Sequence, residues 1–165
     1  MASSSLNYPL LSIPAYYVFS LVPHMYAVSQ LSAAGYKVNN ANPKASLSPD
    51  AVKGKVPDAV YQKYQRAENA QSNNIEQLPL YAVAVLASIV AERATATGRL
   101  GSAMSDENVL GLGTYIAAFM AVRAAYVASY ISIEDHKKSL VRSSLWAVGA
   151  GLTFYQIYKA AVLLG

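Results

Sequence analysis

Cysteine is absent from the 165 residues, which removes disulfides, thiolate metal sites and a cysteine nucleophile together. Any sulfur chemistry therefore needs a thiol that arrives with a ligand. Charge is scarce as well: Asp, Glu, Lys and Arg make up 13% of the chain, about half the share usual in soluble domains, whereas apolar residues make up 54%. The sequence has no internal repeat, no low-complexity tract, no phosphate-cradling glycine motif and no metal-ligand spacing. His24 and His136 stand far apart, and each is read as a solvated or hydrogen-bonded histidine. Met1 to Asn7 carries no basic residue, and the apolar stretch that follows is too long, and too interrupted by Pro9, Pro14 and Pro23, for a secretion signal. It is expected to remain as a helix that starts near Pro9 and bends near Pro23.

What the chain has is long apolar sequence. Segments of about 20 apolar residues read as membrane spans, and four are expected, over residues 8–31, 66–93, 109–133 and 140–164. The second is apolar from Gln77 to Ala91 and carries a polar extension back to Arg66. The connections are short, so the expectation is all-α: one domain over residues 1–165, folded as an up-and-down bundle of transmembrane helices. Ala-rich sequence from Ala117 to Ala128, with Gly111 and Gly113, permits close helix approach. Tyr16, Tyr17, Tyr26, Tyr155 and Tyr158 read as packing residues or interfacial anchors, and Lys159 as a side chain that stretches to the interface.

The net charge of +4 is unevenly placed. Lys37, Lys44, Lys53, Lys55, Lys63 and Arg66 lie in or beside the first connection, and Lys137, Lys138 and Arg142 in or beside the third. The second connection holds Arg93 and Arg99 with Asp106 and Glu107 beside them. The positive-inside rule then makes the first and third connections cytoplasmic and puts both termini on the lumenal or outer side. This pattern argues for membrane lipid as a partner and against nucleic acid, with anionic lipid or an anionic substrate as a secondary use of the basic loops. Residues 32–62 mix Gly35, Gly54, Pro43, Pro49 and Pro57 with Asn39, Asn40 and Asn42, which reads as an irregular loop with at most a short helix.

Polar residues inside the expected spans carry the functional reading. Arg123 interrupts an apolar run, where a guanidinium costs at least about 2.5 kcal/mol and is rarely kept without a partner or a task. Tyr126 and Tyr130 follow at helical spacing, so an Arg-Tyr-Tyr stripe lies on one face. Arg66, Asn69, Asn73 and Glu76 likewise step along one face of the second span, and Leu80 continues the line. Either these are the solvated face of a helix end, or they hold a polar ligand. Topology favours the second, because the second span enters from the cytoplasmic side at Arg66, the third leaves there just after Tyr130, and the fourth begins there with Arg142 and Trp146. Arg123 paired with Glu76 is the simplest arrangement that satisfies both, as a structural ion pair or as a pair that also holds a ligand.

These residues carry a family resemblance. The run from Arg66 to Tyr81, with Asn69, Asn73, Glu76 and Pro79 in it, resembles the second-helix signature of the membrane-associated proteins in eicosanoid and glutathione metabolism, the MAPEG family. Arg123, Tyr126 and Tyr130 resemble that family's third-helix motif, an arginine followed by aromatics at the third and seventh positions, and Tyr36 to Val38 with Pro43 resembles the end of its first helix. The resemblance implies a four-helix homotrimer, in an internal membrane such as the endoplasmic reticulum, that holds glutathione between subunits near the cytoplasmic face. It implies that Asn73 and Glu76 contact the peptide backbone or amino group of glutathione, and that Arg123, Tyr126 and Tyr130 complete the pocket. Arg142 matches the arginine that stabilises the thiolate, with Tyr130 beside it. The activity implied is conjugation, peroxide reduction or thiol-assisted isomerisation of a hydrophobic small molecule.

The chain departs from the family pattern at Asn69, where an arginine is usual, and at Gln77, where an aromatic is frequent. Losing that arginine removes a charge-assisted bond to a glutathione carboxylate, worth about 1.5 to 3 kcal/mol; Arg66, one turn earlier, is placed to compensate. Two further readings therefore stay open: a non-catalytic lipid-binding or scaffold protein on the same fold, and a glutathione-independent isomerase or cyclase of a hydrophobic metabolite.

Overall fold

The computed structural model describes residues 6–98, with side chains as far as residue 95, together with residues 108–135 and 138–165. Arg99, Asp106, Glu107, His136 and Lys137 lie outside the described residues. The described residues hold six helices and no strand: α1 Tyr8–Ala33, α2 Pro43–Ser46, α3 Pro49–Val52, α4 Asp58–Gly98, α5 Leu112–Ser132 and α6 Leu140–Leu164.

Asn7 caps α1 by accepting from the Leu10 amide at 2.9 Å, and Pro9 sits in the first turn, where its missing donor costs nothing. The helix runs on through Pro14 and Pro23, and Pro23 is buried. The first connection is more ordered than its composition indicates. Asn42-Pro43 and Ser48-Pro49 each start one helical turn, and the Tyr36 hydroxyl donates to the Ser46 carbonyl at 2.5 Å while the Tyr64 hydroxyl donates to that of Leu47. Val52, Val56, Tyr61 and Tyr64 then pack on Ala27 and Leu31 of α1.

This cluster explains why α4 starts at Asp58 rather than Arg66. At 41 residues and about 1.5 Å per residue it is about 60 Å long, twice the hydrocarbon thickness of a bilayer, so its first turns stand clear of lipid. Three helices, α4, α5 and α6, are long and apolar enough to cross a membrane, and the chain is an integral membrane protein. The expected first span, α1, is 26 residues long and is not among these three. Its prolines, tyrosines, serines and His24 dilute the aliphatic content.

Neighbours in sequence run antiparallel. The Tyr81 hydroxyl donates to Ser12 Oγ at 2.7 Å and His24 Nδ1 lies 2.8 Å from Glu68 Oε1, which fixes α1 along α4 and gives His24 its hydrogen-bond partner. The Tyr115 hydroxyl donates to Thr153 Oγ1 at 3.1 Å, joining α5 to α6. Between the helices sits an aromatic core: the rings of Tyr81 and Phe119 stack at 4.6 Å, with Tyr16 edge-on to Phe119 at 5.2 Å and Tyr115 beside both. Tyr16 is thus a core residue, whereas Tyr17, Tyr155 and Tyr158 are exposed.

At the opposite end, Leu110 is clamped ahead of α5. Its amide donates to Glu92 Oε1 at 3.0 Å, and its carbonyl accepts from Lys159 and from Gln156 Nε2. Lys159 therefore turns inward rather than out to the interface, because the carbonyl ahead of a helix start needs a donor. Gly111 opens α5 at φ 63°, a left-handed conformation that glycine adopts freely. Close approach belongs instead to Gly149, where an added Cβ would meet Val122 at 3.7 Å and the Arg123 Cδ at 3.8 Å; Gly113 faces open space.

Candidate functional site

The inner face of α4 consists of Ala67, Ala70, Asn74, Gln77, Tyr81, Ala84 and Ser88, all buried and stepping by three or four residues. The stripe expected to hold a ligand is displaced by one residue, about 100°, and flanks this face. Asn69 and Glu76 are exposed, Arg66 and Asn73 are half-buried, and the Asn73 amide donates to the Asn69 carbonyl in its own helix at 3.1 Å. Arg66 is engaged elsewhere: its Nη2 lies 2.7 Å from Glu134 Oε1, in the connection between α5 and α6.

Arg123 is 1% exposed, the largest fully buried side chain among the described residues, and its partner is not Glu76. Its Nε and Nη2 both donate to Asn74 Oδ1, the first at 3.1 Å, and the Tyr16 hydroxyl donates to the Asn74 carbonyl at 3.1 Å. Glu76 is turned outward by its place on the helix, so the anticipated ion pair is replaced by a bond to a neutral amide one half-turn away. Asn74 escapes notice in the sequence because it stands beside Asn73 and off the chosen stripe. Its signal is the buried line from Ala67 to Ser88.

From Arg123 a ladder of rings and cations runs outward. The guanidinium carbon lies 4.3 Å from the centre of the Tyr126 ring, that ring lies 5.4 Å from Tyr130, and the Arg142 guanidinium lies 4.5 Å from the Tyr130 ring. The ladder ends in a cleft of about 440 Å³ lined by Asn73, Tyr126, Tyr130, Ser139, Arg142, Ser143 and Trp146. The structure thus brings together Asn73, Tyr126, Tyr130 and Arg142 and sets Arg66, Asn69 and Glu76 on the outer side of α4. Ser139 and Ser143 are additions, while Trp146 joins Arg142 as the sequence indicates, the two lying on one face of the first two turns of α6.

The chemistry of the cleft follows from its lining. It offers one guanidinium, phenol, hydroxyl and amide groups, and an indole, with no carboxylate among the lining residues. Such a surface favours an anion with an apolar part beside it. A cation fixed on an aromatic ring favours the thiolate form of a thiol placed next to it, and arginine keeps its charge even when partly dehydrated.

The sequence model of the MAPEG family matches residues 10–162. No curated protein matches the chain, and no solved structure does.

Proposed function

We propose a function from one premise: the chain belongs to the MAPEG family. It acts as a membrane-bound glutathione transferase or peroxidase on a hydrophobic small molecule, and the observation that carries this reading is Arg142 seated on Tyr130 in the cleft between α4, α5 and α6. Glutathione supplies the thiol that the chain lacks. Arg142 and Tyr130 hold its sulfur in the ionised form, while Asn73 and Tyr126 line the path of the peptide. Arg123 supports this pocket from behind, through Tyr126. The apolar surroundings concentrate a hydrophobic electrophile beside the thiolate, so that positioning supplies much of the rate.

The assembly is a four-span homotrimer with each copy a single domain, in an internal membrane such as the endoplasmic reticulum, with both termini lumenal and the basic connections cytoplasmic. Two observations support the oligomer. Ala117, Ala121, Ala124 and Ala128 are exposed along one face of α5, small residues that allow a neighbouring helix to approach closely. Asn69 and Glu76 are exposed on α4, and receive the polar ends of a glutathione lying between copies.

A second reading, a lipid-binding or scaffold protein, is favoured by the fact that Glu134 already occupies Arg66, the side chain placed to compensate for Asn69. Calorimetry on detergent-solubilised protein separates the two. The transferase reading expects glutathione to bind at millimolar concentration or below, and absence of binding there eliminates it in favour of the second.

A further inference from the structure

We propose that Asn74 is a positioning residue. It holds Arg123 inside the core, out of contact with any ligand, as the foot of the ladder whose far end aims Arg142 into the cleft. The inference rests on the transferase reading for its chemical purpose but not for its geometry.

Two donors of Arg123 converge on Asn74 Oδ1, and both residues are at least nine-tenths buried. Asn74 is itself fixed by the Tyr16 hydroxyl on its carbonyl, and the Arg123 stem runs beside Gly149 of α6. No carboxylate lies within 4.0 Å of Arg123 among the described residues, and the amide oxygen is the acceptor that two of its donors share. Arg123 Nη1 and Asn74 Nδ2 remain without partners. A guanidinium kept at such cost, with donors to spare and off the cleft lining, is placed for where it points. It points at the Tyr126 ring, which contacts the Tyr130 ring, which carries Arg142.

The consequence is a division of labour between two arginines. Arg142 is the one cation lining the cleft among the described residues, and Arg123 acts on it through two tyrosines.

The single tryptophan, Trp146, lines the cleft and makes the proposal measurable with no ligand present. The experiment compares quenching of its fluorescence by iodide and by neutral acrylamide in detergent-solubilised wild type, Asn74→Ala and Asn74→Asp. Iodide reports the cation beside the indole and acrylamide reports access. In Asn74→Ala the iodide-to-acrylamide quenching ratio is expected to change about threefold, the factor that a cation–π contact of ordinary strength represents. Asn74→Asp, which restores the acceptor oxygen, is expected to return it to the wild-type value. Should Asn74→Ala not accumulate as folded protein, Asn74→Thr, whose hydroxyl is too short to reach, takes its place. An unchanged ratio in the truncated variant, or a change that Asn74→Asp fails to reverse, overturns the proposal. With glutathione added, the pH at which its thiolate absorbance appears is expected to rise in Asn74→Ala and to recover in Asn74→Asp. If wild type binds no glutathione, the transferase reading fails while the quenching comparison still decides the role of Asn74.

Discussion

Replacing Arg142 by alanine removes the one cation that lines the cleft among the described residues and leaves Tyr130 in place. A guanidinium about 4 Å from a thiolate attracts it by about 1 kcal/mol in water and about 4 kcal/mol at an effective dielectric constant of 20. Arg142 is half-buried, between these limits. A value of about 2 kcal/mol corresponds to about 1.5 pKa units, enough to bring a thiol from its ordinary value of about 8.5 down to about 7. The sign is fixed by the charge: the cation stabilises the deprotonated form, so its loss raises the thiol pKa and depletes the thiolate at neutral and acid pH. The expected outcome is a roughly thirtyfold loss of rate on the acid side, shrinking toward parity above about pH 9, where the thiol ionises unaided. The assay is the pH dependence of conjugation of glutathione to a chromogenic halogenated nitroarene by detergent-solubilised protein. Arg142→Lys, which keeps the charge but not the flat contact with Tyr130, should fall between the two. A loss of the same size at every pH would refute the reasoning, since it would mean that Arg142 binds the ligand without influencing its ionisation.

Other consequences can be measured on the same material. Asn69→Arg, on the exposed side of α4, restores the charged donor missing from the stripe and is expected to tighten glutathione binding at least about tenfold by calorimetry. Phe119→Ala opens a cavity among the rings of Tyr16, Tyr81 and Tyr115 and should lower stability by about 3 to 5 kcal/mol, with Phe119→Leu milder, as read by unfolding in detergent. Gly111→Ala forces a side chain into the left-handed conformation that opens α5 and should destabilise the same protein by about 1 to 2 kcal/mol; an unchanged unfolding midpoint would show that the turn relaxes at no cost.

How much of the fold was legible depended on whether a segment's partners lie close in sequence. The fourth helix runs from Leu140 to Leu164 as read, because an apolar run preceded by a polar loop states its own limits. The second helix begins at Asp58 instead of Arg66, because Tyr61 and Tyr64 are buried only once the first connection folds back on α1. From composition alone that stretch is loop-like. The two single-turn helices of the connection did carry a local signal, Asn or Ser followed by Pro, which the surrounding glycines and asparagines masked. The first helix shows the reverse difficulty. Its ends were readable, whereas the partners that Ser12, Tyr16 and His24 find along α4 lie far off in sequence.

The site was legible on α5 and misplaced on α4 for one physical reason. On α5 a single charged side chain stands in apolar sequence, so the face containing Arg123, Tyr126 and Tyr130 has no charged competitor, and all three meet the rest of the bundle. On α4 polar residues occupy every face between Arg66 and Gln77, and a stripe chosen by its charges, Arg66 and Glu76, selects the face that can remain hydrated. Burial selects by the opposite criterion. Ala67 and Ala70 are small and uncharged, and they mark the side on which another helix can approach closely enough for Asn74 to reach Arg123. A buried cation in a membrane bundle is therefore better traced to its partner by following alanines at helical spacing than by looking for the nearest carboxylate. Of the charged residues passed over in this way, Arg66 is held by Glu134 and Glu76 stays exposed on the surface.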